Sequence, residues 1–403
     1  MSPGYKRTEV GEIPEEWECT LLDRVAARAS GHTPDKAHAE YWNGPIAWIS
    51  LQDSNRLDKP LISETTATIT EAGIRNSSAR ILPAGTVVLS RDAGVGRSTI
   101  MARAMAVSQH FMAWTCGPRL SNSFLYYWLQ RTKPEFERIA MGNTIKTIGV
   151  PYFLHLQIPL PPRPQQDAIA TALGDADSLI ESLEHLLAKK RAIKQGAMQS
   201  LLTGAKRLPG FTAPWRTMPF GDLARPRRDR IDPSRTDSGS GTFCIELEHI
   251  QPATGRLLGA STAHAGAALK SVFRPGDVLF GKLRAYLRKY WLADRHGCCS
   301  TEVWVLAPVD EAVTSQFLYQ LVTTDGFVEA ASTAYGTHMP RSDWRLVSGL
   351  QISLPAPAEQ SAIAEVLSDL DADLDATAAK LDKARAIKQG MMQELLTGRI
   401  RLV

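Results

Sequence analysis

Apolar residues recur at alternating steps of four and three from Ile169 through Leu173, Ala176, Ile180 and Leu183 to Leu187, with charged and polar residues filling the intervals. A second line, Ile363, Leu367, Leu370, Leu374, Thr377 and Leu381, keeps the same steps with one polar member. Spacing of this kind predicts a long helix whose seam packs as a coiled coil. Beyond each seam the phase slips, onto Ile193, Ala197 and Leu201 and onto Ile387, Met391 and Leu395, as at a stutter. Pro161, Pro162 and Pro164 precede the first helix and Pro355 and Pro357 the second, giving extended entries. Gly204 and Gly398 stand where a left-handed residue closes a helix. At about 1.5 Å per residue, a helix from Gln165 to Thr203 is roughly 58 Å long.

The two lines belong to one segment written twice. Gln165–Leu208 and Glu359–Leu402 align without a gap at an offset of 194 residues, Ile169 falling on Ile363 and Arg191 on Arg385. Residues 191–196 and 385–390 are identical, as are 201–204 and 395–398. A period near half the chain means two copies of a large unit, not a solenoid.

Between the helices the pattern changes to short strands and turns. Trp42–Leu51 alternates like a strand, Ile81–Arg91 reads as a Pro/Gly turn feeding a strand, and Thr99–Trp114 as further strand. Asn122–Ile139 is helical, with Pro134 marking a break or a new start, and 142–149 is a loop before the strand at 156–161. Residues 209–354 retrace this course: 214–224 resembles 16–26, 273–284 resembles 81–91, 315–321 resembles 121–127, and 335–341 takes the place of 142–149. The boundaries are then 1–157, globular; 158–208, helix; 209–351, globular; 352–403, helix. Copies that keep their residues do the same job, whereas the globular regions diverge by drift or because they meet different ligands. Connectivity makes the helices antiparallel if they pair along their seams, with a globular region at either end. The expected class is α+β: two pseudo-twofold-related globular α/β domains separated by a pair of long antiparallel coiled-coil helices.

Composition narrows the function. Hydrophobic content of 44% and charged content of 22% over 403 residues describe an ordinary globular protein of two or more domains. A net charge of +4 permits a nucleic-acid partner without demanding one. Five cysteines without a CxxC pair argue against a disulfide framework or a zinc site. No signal peptide and no apolar run of membrane length is present, so a cytoplasmic location and no membrane partner are expected. Gly276–Lys282 has phosphate-loop spacing, but Leu283 replaces the hydroxyl residue that would hold magnesium. No HExxH or GxSxG motif appears, so no catalytic residue and no metal ligand is assigned.

Two divergent readers on a two-fold spacer suit duplex DNA, where sites one helical turn (roughly 34–36 Å) apart share a groove face. The loops in equivalent places supply the candidate contacts. Gln52, Asp53 and Ser54 match Glu248 and His249, each set just after a strand. Arg91 and Arg97 match Lys282, Arg284, Arg288 and Lys289, with Tyr286 among them. Asn143 and Lys146 match Thr337, His338 and Arg341. Arg and Lys would neutralise phosphates, and Arg, Asn and Gln would read base edges. On the helices Lys190 takes a seam position held by Ala384 in the other copy, and its ammonium is expected to snorkel into solvent.

The helix entries at 158–166 and 352–360, the repeated RAIKQG and LLTG strings, and GDVLFGKLRAYLRK (276–289) resemble the specificity subunit of type I restriction–modification enzymes, over the whole chain. Gln165 departs from the pattern that Glu359 keeps. The resemblance implies a non-catalytic subunit with two target-recognition domains, each reading half of an asymmetric bipartite double-stranded DNA site, and helices that fix the gap. It implies two methyltransferase subunits as partners, flipping and methylating an adenine in each half-site, and nuclease/translocase subunits joined through them. S-adenosylmethionine, ATP and Mg are then expected on those partners and none in this chain. Two rivals remain: a coiled-coil adaptor whose globular ends bind proteins, and a reserve specificity subunit kept for recombination.

Overall fold

The computed structural model describes residues 4–142, 146–233, 242–263, 268–333 and 340–402. The chain divides into two compact units, one formed by 1–184 with 379–403 and the other by 185–378. Each unit therefore contains a globular region and a portion of both long helices.

In the first unit, Val87–Ser90 and Ser98–Met101 are buried at every position, which suits interior strands apolar on both faces. They lie in a five-stranded sheet in the order Ala26–Ser30, Phe111–Cys116, Val87–Ser90, Ser98–Met101, Leu61–Ile62. A second sheet places Trp42–Ile49 between Ala106–Val107 and Ala67–Ile69. Trp17, Trp114, Phe124, Phe136 and Phe153 are fully buried in the main core. Ile169 and Leu173 of the first long helix, Met392 and Leu395 of the second, and Leu396 just past its end close that core. The helix Asn122–Ile139 runs unbroken through Pro134, contrary to the expected break. Its buried Phe124, Tyr126, Trp128 and Phe136 hold it against the core and outweigh the lost backbone bond.

The second unit repeats the plan with different edges. Ala224–Pro226 pairs with Val303–Pro308, which pairs with Val278–Gly281, as Ala26–Ser30, Phe111–Cys116 and Val87–Ser90 do. Its four-stranded sheet ends on Tyr290–Leu292, and a five-stranded sheet centres on Gly297–Ser300. The turns before the matching strands share a mechanism: Gly85 (φ +82°) and Gly276 (φ +88°) are left-handed. Their N–H groups donate to Met101 O and Ala293 O, both at 2.8 Å.

The long helices span Arg163–Leu201 and Pro357–Leu395, 39 residues each. Both begin two residues ahead of the repeat, with Pro164 and Pro357 in the first turn, where a missing N–H costs nothing. Gly204 (φ +74°) and Gly398 (φ +71°) follow their C-termini as expected. In the first unit Asp177 meets Lys388 at 2.5 Å and Glu184 meets Arg385 at 2.6 Å. In the second, Lys190 meets Asp373 at 2.6 Å and Lys194 pairs with Asp371. Rising numbers on one helix face falling numbers on the other, so the segments run antiparallel within each unit.

Along the seam Ile169, Leu173, Leu187, Ile363, Leu367 and Leu381 are buried, and Ile180, Leu183, Leu370 and Leu374 half-buried. The slipped line holds at Leu201 and Leu395, which are buried, and fails at its first member. Ile193 and Ile387 are 50% and 51% exposed, and the neighbouring Lys194 and Lys388 turn inward instead. Their long apolar stems cover the seam while their ammonium groups reach Asp371 and Asp177. Lys190 sends its ammonium outward to Asp373, itself exposed, and also donates to Thr377.

Gln166 and Gln360, both fully buried, fasten the start of each helix to the globular part of its unit. Gln166 accepts the Ser121 N–H at 2.8 Å and donates to Arg119 O and Pro161 O at 2.9 and 2.8 Å. Gln360 accepts the Thr314 N–H at 2.9 Å and donates to Ala312 O and Pro355 O at 2.6 and 2.9 Å. Beside them, Trp17 donates to Gln165 and Trp215 to Glu359. Glu359 also accepts two hydrogen bonds from the Arg207 guanidinium, at 2.6 and 2.7 Å.

Candidate nucleic-acid interface

Three loops converge in the first unit: 50–58 after the strand Trp42–Ile49, 91–97 after Val87–Ser90, and 146–148. Arg97 Nη1 donates to Ser54 O at 2.6 Å, joining the first two, and Arg91 Nη1 donates to Ile148 O at 3.2 Å, joining the last two. Ala93, Gly94 and Gly96 all have positive φ, which bends 92–97 back on itself. Arg97, Lys133, Glu137 and Lys146 surround a hollow of about 460 Å³ beneath this bend. Lys133 is held 2.6 Å from Asp58, whereas Lys146 is exposed and has no side-chain partner among the described residues.

The same three places converge in the second unit. Lys289 Nζ donates to Leu247 O at 2.6 Å, tying the 282–289 segment to Leu247–His249. Arg284 N–H donates to Pro340 O and Ser342 N–H to Lys282 O, tying it to 340–342. Arg284 (φ +54°) and Arg288 (φ +52°) flank a single 3₁₀ turn in left-handed conformations unfavourable for arginine. That strain raises Tyr286, 58% exposed, on the tip of the turn. Arg284 is exposed and Lys282 half-buried, neither with a side-chain partner among the described residues.

Several candidates are spent on the fold. Asp53 is fully buried: one oxygen accepts the Ser50 N–H and the other the Thr66 N–H and hydroxyl, so no base can reach it. Arg91 is fixed to Gln109 O and Ile148 O, and Arg288 to Asp325 and Thr323 O. His249 Nδ1 accepts the Glu246 N–H as a cap, while Glu248 beside it is exposed. Arg341 forms a double hydrogen bond to Glu302, which raises its already high pKa. Asp277 holds Arg227 in the same way, so neither carboxylate is a free metal ligand. Gln52 is exposed and Ser54 half-buried. Asn143, Thr337 and His338 lie outside the described residues.

Sequence reasoning missed Lys133 and the pairing of His110 with Asp92 at 2.7 Å. Lys133 sits inside a helix and gives no local signal; His110 lies next to a strand whose partner loop is distant in sequence. Among the described residues no group of three or more His, Cys, Asp or Glu is placed to hold a metal ion. Among them also, no helix is long and apolar enough to cross a membrane.

Comparison with known proteins agrees with this plan. The chain is 31% identical over 180 residues to the MjaIX type I restriction enzyme specificity subunit of Methanocaldococcus jannaschii, covering 44% of this chain and 42% of that relative. That match therefore spans less than half of the relative's length. The EcoDI specificity subunit of Escherichia coli is 23% identical over 314 residues, 69% of each chain. In fold, the chain is similar to the type I restriction–modification S subunit of M. genitalium, with a TM-score of 0.58 over 98% of this chain and 99% of the other, at 16% identity. A family model, the type I restriction modification DNA specificity domain, matches residues 14–190 and 270–385, most of the chain. The chain belongs to the type I restriction–modification DNA specificity family.

Proposed function

We propose that this chain is the non-catalytic subunit that chooses DNA sequence for a type I restriction–modification enzyme, each globular region reading one half of a bipartite asymmetric site. The observation that carries this is the convergence of the same three loops in both units, built on matching strands but bearing different side chains. A shared frame with divergent tips is what two different half-sites require. Lys146, Lys282 and Arg284, free of side-chain partners among the described residues, are available for phosphates. The recognition domains are 1–157 and 209–351, with 158–208 and 352–403 as helices that set the gap and dock two methyltransferase subunits. Nuclease/translocase subunits join through these, and S-adenosylmethionine, ATP and Mg belong to the partners.

The test is duplex binding by the full chain assembled with its methyltransferase across a salt series. A DNA reader loses affinity steeply, by about 0.9 in log–log slope for each phosphate contact. An adaptor binds the methyltransferase and shows no affinity for duplex beyond that of the methyltransferase alone.

A further inference from the structure

We infer that the first unit contains a pocket for one nucleobase drawn out of the duplex stack. The inference rests on the DNA-reading function proposed above and adds to it a ligand class at a defined place. The pocket, of about 430 Å³, lies between the strand Trp42–Ile49 and the segment 106–110, within the size range of small-molecule sites. Trp42 and Trp48 form its walls, ring centres 5.2 Å apart and planes at 83°. Their indole N–H groups are both committed to backbone, to Asp35 O and His32 O at 3.1 Å. The polar edges of the rings are thus used inside the fold; Trp48 is itself buried against Ile69 and Ala106, so the half-buried Trp42 supplies the apolar surface for a ligand.

The polar groups around these walls are few and aimed inward. Ser108 is 1% exposed, and its hydroxyl has no hydrogen-bond partner, a costly state for a buried donor. His110 is oriented through Nδ1 by Asp92, leaving Nε2 with only a 3.5 Å contact to Gln109. Gln52 and Lys36 stand exposed at the rim without side-chain partners among the described residues. Aromatic walls, a buried hydroxyl and an oriented imidazole suit a flat heteroaromatic ring with donors and acceptors on its edge. A lysine at the rim suits the phosphate that stays outside. The corresponding strand of the second unit, Phe243–Ile245, carries no tryptophan and packs Cys244 against Cys298 and Ala263.

The experiment uses the full chain assembled with its methyltransferase and a duplex bearing its target, with 2-aminopurine placed at each position of the first half-site in turn. At one position, other than the adenine that the partner methylates, binding changes the emission several-fold. Trp42→Ala returns that emission to the stacked level and weakens target binding by about 5- to 150-fold, the equivalent of one base–aromatic stack. Trp42→Phe keeps an aromatic face and retains the signal, which separates loss of stacking from loss of fold. The pocket is refuted if every position stays stacked, or if Trp42→Ala keeps the signal. Sequence-specific binding that persists in either case leaves the broader function standing, whereas absence of any DNA binding by the unaltered assembly removes that function itself.

Discussion

Lys190 and Thr377, the two polar residues that interrupt otherwise apolar seam lines, meet each other: the lysine ammonium donates to the threonine hydroxyl at 2.9 Å. Asp373 completes the set at 2.6 Å. At the equivalent positions of the first unit the repeat supplies Ala384, Leu183 and Leu179. One copy therefore uses an apolar triplet where the other uses a hydrogen-bonded one, and exchange of a single member breaks the match. Thr377→Leu should destabilise the chain, whereas Lys190→Ala with Thr377→Leu should recover part of the loss. Denaturant unfolding of the two single variants and the double variant should give a coupling of about 0.5–1.5 kcal/mol.

Lys194 offers a test by pH. Burial raises the pKa of Asp371, and the Lys194 ammonium works against that rise. A carboxyl whose folded pKa is raised favours the fold while protonated and loses that contribution as pH rises through the folded value. At neutral pH Asp371 thus weighs against folding, and Lys194 offsets it. Lys194→Met should cost about 1–2 kcal/mol at about pH 7.5, between the values for exposed and buried pairs. The difference from the unaltered chain should shrink as pH falls toward the ordinary Asp range near about 4. Thermal unfolding at the two pH values measures it.

Gln360→Leu leaves the half-buried Thr314 N–H and the carbonyls of Ala312 and Pro355 without partners. The expected loss is about 2–4 kcal/mol in denaturant unfolding. Gln166→Leu should cost a similar amount in the first unit for the same reason.

Arg91 and Lys146 lie on neighbouring loops yet should fail in different ways. Arg91→Ala removes the ties to Gln109 O and Ile148 O and should lower the melting temperature. Lys146→Ala, at an exposed site, should leave melting unchanged and reduce the salt slope of DNA binding by about 0.9. A calorimetric scan beside a salt titration of each variant separates the two roles.

Much of this architecture is legible in the sequence because the chain supplies its own comparison. The offset of 194 residues locates both helices and both terminal glycines, and the shared turn at Gly85 and Gly276 locates the strands that follow. The errors have a common physical origin. Apolar periodicity placed Ile193 and Ile387 at the seam, because it does not register a lysine that turns inward to pair with an aspartate. Asp53 looked like a base contact for its position after a strand, but a short polar residue at the third position of a helical turn serves equally as a cap. The tryptophan pocket was not legible at all. Its walls come from the strand Trp42–Ile49, the turn after it and the segment 106–110, which only the parallel pairing of Ala106–Val107 with Trp48–Ile49 brings together.

The central claim is that one polypeptide carries two independent readers of different sequence. It is tested most directly by sequencing the methylated adenines in cells that carry this chain with its partners, before and after residues 209–351 are replaced by those of another family member. The account predicts a two-part asymmetric motif with a fixed gap, in which the replacement changes one half and leaves the other half and the gap intact. A single contiguous motif, or a change in both halves, would contradict it.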